Sequence, residues 1–267
     1  MPWTFSHPAA VLPFRRLYPE RLNFPALVIG SVAPDAGYYV NQFEIARWAH
    51  SLVGAVVVCI PSGLLLLFMF LLMRRPLWFL LPEPHRSALE PLVADRSYRR
   101  ASYLPAAMTS IVLGAWTHVI WDAFTHGGTW ITERVAMLRE VWLQVGEFEF
   151  QGYSVLQHSS TVMGAAVLGI AYFRWLRSRP RPAGSSPSDR WRYLAMLASG
   201  LLSVSIAIPL ALHAAVDHTG QQAWGVFIFR TAIYSVCVLA VLLLVYAACY
   251  PALQRNVQPS TRRSAQQ

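Results

Sequence analysis

The sequence predicts an all-α, polytopic bundle of membrane helices, and three observations carry that prediction. Hydrophobic residues make up 55% of the 267-residue chain and charged residues only 13%, with a mean hydropathy of +0.39. A soluble domain carries about a quarter charged residues. Five apolar runs, 52–73, 104–125, 155–176, 193–212 and 226–250, each reach the roughly 20 residues that a helix needs to cross a bilayer. Finally, the basic residues, all of them arginine, cluster in alternate loops.

Residues 1–49 precede the first run. Their apolar pieces, 8–14 and 24–32, are too short to span. They read as two short helices on or partly in the outer interface, or as a re-entrant hairpin whose Arg15, Arg16 and Arg21 need cover from protein or water. The opening MPWTFSHPAA has neither the basic start nor the short apolar core of a secretory signal.

Loop charge then orients the spans. Arg74, Arg75, Arg86, Arg96, Arg99 and Arg100 follow the first run, and Arg174, Arg177, Arg179, Arg181, Arg190 and Arg192 follow the third. Arg255, Arg262 and Arg263 follow the fifth. The loop after the second run holds Glu133, Glu140, Glu147 and Glu149 against Arg134 and Arg139. Arginine marks the cytoplasmic side, so the predicted C-terminus is cytoplasmic and 1–49 lie largely outside. A net charge of +9 divided among short loops fits this orientation and argues against nucleic acid as a partner.

The predicted organisation is one membrane domain over 1–253, with a flexible loop at 178–190 and a disordered tail at 254–267. Within it two hairpins look alike. His50-Ser51 and His158-Ser159 open spans running inward, while His118-x-x-x-Asp122 and His213-x-x-x-Asp217 close spans running outward. The expected repeats are 50–126 and 158–220, with 226–250 as a last span.

This arrangement gathers histidine on one face. His50, His118, His126, His158, His213 and His218 all fall near outer helix ends, and only His85 lies in a cytoplasmic loop. Residues four apart share a helix face. His118 and Asp122 can therefore hold one ion while Asp122 and His126 reach a second, with the carboxylate bridging two metals roughly 3.5–4 Å apart. Imidazole and carboxylate together suit zinc, iron or manganese better than magnesium or calcium. Taken singly, His126 and His218 are equally explained as caps on helix carbonyls, and His50-Ser51 as a helix start. The three cysteines, Cys59, Cys237 and Cys249, form no Cys-x-x-Cys pair.

FSHPAAVLPFRR, LVIGSVAPDAGYY, AHSLVGAVVVCIPSGLLL and HVIWDAFTHGG closely resemble a bacterial membrane-protein family known only as domain of unknown function 4184. More distantly, the order His7, Asp35, His50, His118, Asp122, His126, His158 is similar to the ligand order of zinc-dependent phospholipase C, the single-strand nucleases and an inner-membrane family of metal-dependent hydrolases. That likeness implies that these seven residues bind metal and that Asp35 also serves as general base. The phospholipases place His-x-x-x-Glu late in the site, whereas His158 is followed by Val162, and Asp217 would supply the missing carboxylate.

The expectation is a plasma-membrane protein with one or two divalent ions, zinc first, at its extracytoplasmic face. His7, Asp35, His50, His118, Asp122, His126, His158, His213 and Asp217 are the candidate ligands, for hydrolysis of a lipid or cell-envelope phosphoester. A proton- or metal-coupled carrier and a structural polar layer are the rival classes. A reporter fused after Arg179 should read cytoplasmic and one near Glu140 external. The reverse pattern would move the histidine layer to the cytosolic face.

Overall fold

The structure, a computed structural model, describes residues 3–18, 20–180 and 189–257. Most of the predicted flexible loop (181–188) and of the predicted tail (258–267) lies outside the described residues. A 3-10 helix, Thr4–Val11, leads into the short helices α1 (Leu12–Leu17), α2 (Phe24–Gly30), α3 (Ala36–Tyr39), α4 (Phe43–Ala49) and α5 (Gly54–Val57). The longer ones follow: α6 (Cys59–Leu80), α7 (His85–Ala94), α8 (Tyr103–Thr125), α9 (Gly152–Arg177), α10 (Arg190–Ala215) and α11 (Gly220–Val257). Between α8 and α9 stands a two-stranded antiparallel hairpin, β1 (Val141–Val145) and β2 (Phe148–Gln151), which the apolar pattern did not announce. Helix α11 continues through residues 254–257, which the sequence reading assigned to the tail.

Among the described residues four helices are long and apolar enough to cross a membrane, Gly54–Leu80, Tyr103–Thr125, Arg190–Ala215 and Gly220–Tyr250, rather than the five expected. The fifth, α9, has the length at 26 residues but carries Gln157, His158, Ser159, Ser160 and Thr161 in its first half. That polar run is put to internal use. Thr161 Oγ1 accepts from Trp3 N–H at 3.1 Å, and the Thr161 carbonyl accepts from the Ser6 hydroxyl at 3.0 Å.

By its internal contacts the chain divides into two compact units. The first comprises Met1–Met69 and Asp95–Arg179, the second Phe70–Ala94 and Pro180–Gln267. In the second, α10 packs along α11, burying Ser203, Ala207 and Ala211. Arg192 there donates to Asp189 Oδ1 at 2.6 Å and to the Phe79 carbonyl at 3.0 Å. The division puts α9 and α10, the two helices of the predicted 158–220 hairpin, in different units.

In the first unit α2 lies beside α8. Asn23 caps α2, its side chain accepting from Ala26 N–H at 2.9 Å, with Pro25 in the first turn where a missing N–H is harmless. Contacts then recur at a constant offset of 87 residues: Asn23 N–H to Ser110 Oγ at 2.8 Å, the Leu27 carbonyl against Gly114, and the Ser31 carbonyl at His118. The two helices therefore run parallel and in register. Small residues allow this approach. Ala26, Gly30, Ala107, Ser110 and Gly114 are all buried along the seam.

A Cβ on Gly114 would fall 2.4 Å from the Leu27 carbonyl oxygen, and one on Gly30 2.3 Å from that of Ile111. Backbone atoms cannot give way cheaply. Gly114→Val should destabilise the detergent-solubilised protein by about 3 kcal/mol or more, read as a lowered thermal midpoint. Gly169→Ala and Gly200→Ala, which open onto free space, should change it little.

Candidate metal centre

Six of the sequence-predicted residues meet at one end of the first unit. His118 and Asp122 are two turn-spaced residues of α8, His126 follows its last turn, His50 ends α4, Asp35 ends a short 3-10 turn, and His7 comes from the opening 3-10 helix. Each is held by backbone geometry close by. Beyond α8 the chain turns through Gly128 at φ +76°, and the Thr129 and Thr132 hydroxyls donate to the His126 carbonyl at 3.2 and 3.0 Å, fixing that end of the helix.

Two imidazoles are locked in the same sense. His50 Nδ1 lies 2.7 Å from the Ala46 carbonyl and His118 Nδ1 2.8 Å from the Ser31 carbonyl. A carbonyl only accepts, so each Nδ1 carries the proton and each Nε2 presents a lone pair. Those two Nε2 atoms face one another at 3.2 Å. Carboxylate oxygens flank them: Asp35 Oδ1 at 3.2 and 3.6 Å from His50 and His118, and Asp122 Oδ2 at 3.4 and 3.3 Å. Donor atoms around one ion in tetrahedral zinc coordination stand about 3.3–3.4 Å apart, given bonds of about 2.0–2.1 Å. All five separations fall near that value.

The other oxygen of Asp122 faces a second group. Asp122 Oδ1 lies 3.6 Å from His7 Nε2 and 3.7 Å from His126 Nδ1, and the His7 ring stacks on His118 with centroids 3.7 Å apart. Among the described residues two sets of side chains are thus close enough to hold an ion, Asp35–His50–His118 and His7–His118–Asp122. The set also fits a cation chemically. His7 Nε2, Asp35 Oδ1, Asp122 Oδ1 and His126 Nε2 are all buried without a hydrogen-bond partner. Buried polar atoms are nearly always paired, and four orphans in one cluster are consistent with a site able to hold a cation.

Electrostatics give the same answer. Burial disfavours a charged His50, but the Asp122 and Asp35 carboxylates facing its Nε2 outweigh that and push its pKa up to about 10, so Nε2 takes a proton unless a metal ion takes its lone pair. The two carboxylates draw in a positive charge, proton or metal. The remaining oxygen of Asp35 accepts from the Thr4 hydroxyl at 2.6 Å, and Thr4 in turn accepts from Tyr39 OH at 3.2 Å. This support escaped the sequence reading, because Thr4, Ser31 and Ala46 carry no metal-site signature and two of them act through backbone carbonyls.

A family model described as domain of unknown function (DUF4184) matches residues 1–248. The chain belongs to the DUF4184 family. The matched region takes in every residue of the cluster, three of the candidate spans and all but the last two residues of the fourth. No curated protein and no solved structure matches this DUF4184 chain, so membership brings no activity with it, and the likeness to zinc-dependent phospholipase C gains no support.

Of the other predicted ligands of the DUF4184 chain, His158 belongs to the first unit and His213 and Asp217 to the second. His158 is exposed on α9 with its ring edge-on to Phe150, 6.2 Å between centroids. The opening 3-10 helix packs on α9 one turn further along, at Thr161 and Gly164, and supplies His7 in its stead. His213 and Asp217 are exposed in the second unit, where α10 turns its small buried face to α11. Asp35 itself has no exposed surface.

Replacing Asp122 separates a metal site from a polar fastener. Asp122→Asn keeps the shape and an accepting oxygen but removes the charge that balances a cation. Metal per chain, by mass spectrometry of protein purified without chelator, should fall from stoichiometric to near zero while folding persists. Equal metal content in both proteins, or a metal-free wild type, would contradict the site.

Proposed function

We propose that this protein is a metal-dependent hydrolase of the plasma membrane, acting on a phosphoester of a lipid or cell-envelope intermediate at the extracytoplasmic face. The observation that carries the reading is the pair of Nε2 lone pairs 3.2 Å apart between two carboxylates. His50, His118, Asp35 and Asp122 would hold the first divalent ion, zinc being the best match to the donors, and His7, Asp122 and His126 a second. Such ions polarise a phosphoryl oxygen and acidify bound water.

The chain's own residues set the rest. Asp35, His118 and His7 are sealed, with side-chain exposures of 0%, 0% and 2%, whereas His50 and His126 reach 19% and 27%. Substrate would therefore approach over His50 and His126. Exposed apolar side chains neighbour these residues in sequence, Trp48, Leu52 and Val53 near His50 and Trp121 and Phe124 near Asp122. Apolar side chains near a charged centre suit an amphiphile whose phosphate meets the site while its chains stay in lipid. Beneath the cluster Leu27, Ile111 and Ala115 are fully buried. That apolar floor favours a surface site over a path for a carried ion.

The deciding experiment uses purified protein in detergent with phosphatidylglycerol and a chromogenic phosphodiester as substrates. Hydrolysis should vanish with chelator, return with added zinc or manganese, and be absent from Asp122→Asn. Metal-loaded wild type that cleaves neither these nor a panel of envelope phosphoesters would refute the catalytic reading and leave a metal-binding protein.

A further inference from the structure

The opening segment goes down and comes back within the first unit. Trp3 and Ser6 bond to Thr161, and Ser6 packs on Gly164, so the 3-10 helix starts alongside the first half of α9. Helix α2 then returns in register beside α8, from Asn23 at Ser110 up to Ser31 at His118. The bend between these two arms holds α1, and it exposes Arg15, Arg16 and Arg21.

The bend lies deep. Ser110 precedes Asp122 by twelve residues of α8, about 18 Å along the helix axis. A hydrocarbon core is about 30 Å thick, so Asn23 lies past the midplane when the cluster lies at the outer boundary. Arg15 is tied to that level, its guanidinium 5.0 Å from the centre of the Phe24 ring. Arginines exposed at such depth are costly in hydrocarbon and extend toward the nearer polar surface. That surface is the one opposite the cluster. Arg96 and Arg100 precede α8 at the same end, and Arg174 and Arg177 stand at the matching end of α9.

We infer that the N-terminal segment is a re-entrant hairpin whose tip, Arg15, Arg16 and Arg21, binds the phosphates of anionic phospholipids in the cytoplasmic leaflet. Its two arms carry His7 and Asp35 back to the opposite side. The guanidinium fork matches a phosphate with paired hydrogen bonds, and three forks on one bend match a leaflet rich in anionic headgroups. The same placement removes the conflict with the charge rule that an external segment would create. It is independent of what the cluster catalyses.

Sidedness tests it directly. Cys59, Cys237 and Cys249 are replaced by alanine, and single cysteines are introduced by Arg16→Cys or Trp130→Cys. Trp130 is an exposed residue of the loop after α8. A membrane-impermeant maleimide should label Arg16→Cys at least tenfold faster in inside-out than in right-side-out vesicles, and Trp130→Cys the other way. Labelling of both from the same side, or of Arg16→Cys from neither, overturns the hairpin. For the lipid, native mass spectrometry of protein from phosphatidylglycerol vesicles should show at least half of the retained lipid lost when all three arginines become glutamine. Their replacement by lysine should keep most of it. Equal retention by the glutamine variant overturns the headgroup contact, whatever the fold of either variant.

Discussion

The parallel packing of α2 on α8 is the constraint from which the rest of the first unit follows. Its register is set by small residues, Gly30 against Ile111 and Gly114 against Leu27 and Ser31, where the backbones touch with no side chain between them. One consequence is chemical. The same register delivers the Ser31 carbonyl to His118 Nδ1 and so decides which nitrogen of that ring faces Asp35 and Asp122. A shift of one residue along the seam would put a different backbone group there and leave the imidazole unoriented. Helix packing and ring tautomer are one problem in this molecule, solved by two glycines.

Burial and charge then divide the labour within the cluster. Asp35 and His118 lie at its floor, fully enclosed and held from behind by Thr4 and Ser31. His50 and His126 form its mouth. Rigid members below and accessible members above are what a binding site needs if its occupant is to be held from beneath and approached from outside.

Much of this could be read without coordinates, and the parts that could not share a cause. His118, Asp122 and His126 were legible because a helix fixes what residues four apart do, whatever the surrounding fold. His50 was legible from its place just before a long apolar run. His158, His213 and Asp217 repeat those local patterns, yet spacing within one helix does not say which helices become neighbours. Here α9 meets the N-terminal segment and α10 meets α11. For the same reason 8–14 and 24–32 looked like surface pieces. Their length excludes spanning but says nothing of packing against a span. His7 and Asp35 entered the sequence reading through resemblance alone, and their place in the cluster is made by tertiary contacts. The β1–β2 hairpin was hidden because Val141, Trp142, Leu143 and Val145 do not alternate with polar residues.

The hairpin that bears His7 and Asp35 also bears on how the protein matures. Neither residue belongs to a span, so a bundle that has already inserted still lacks two members of its cluster until the N-terminal arms dock. A cation captured afterwards would cross-link the arms to α4 and α8 and bind only the docked form, which draws the equilibrium toward it.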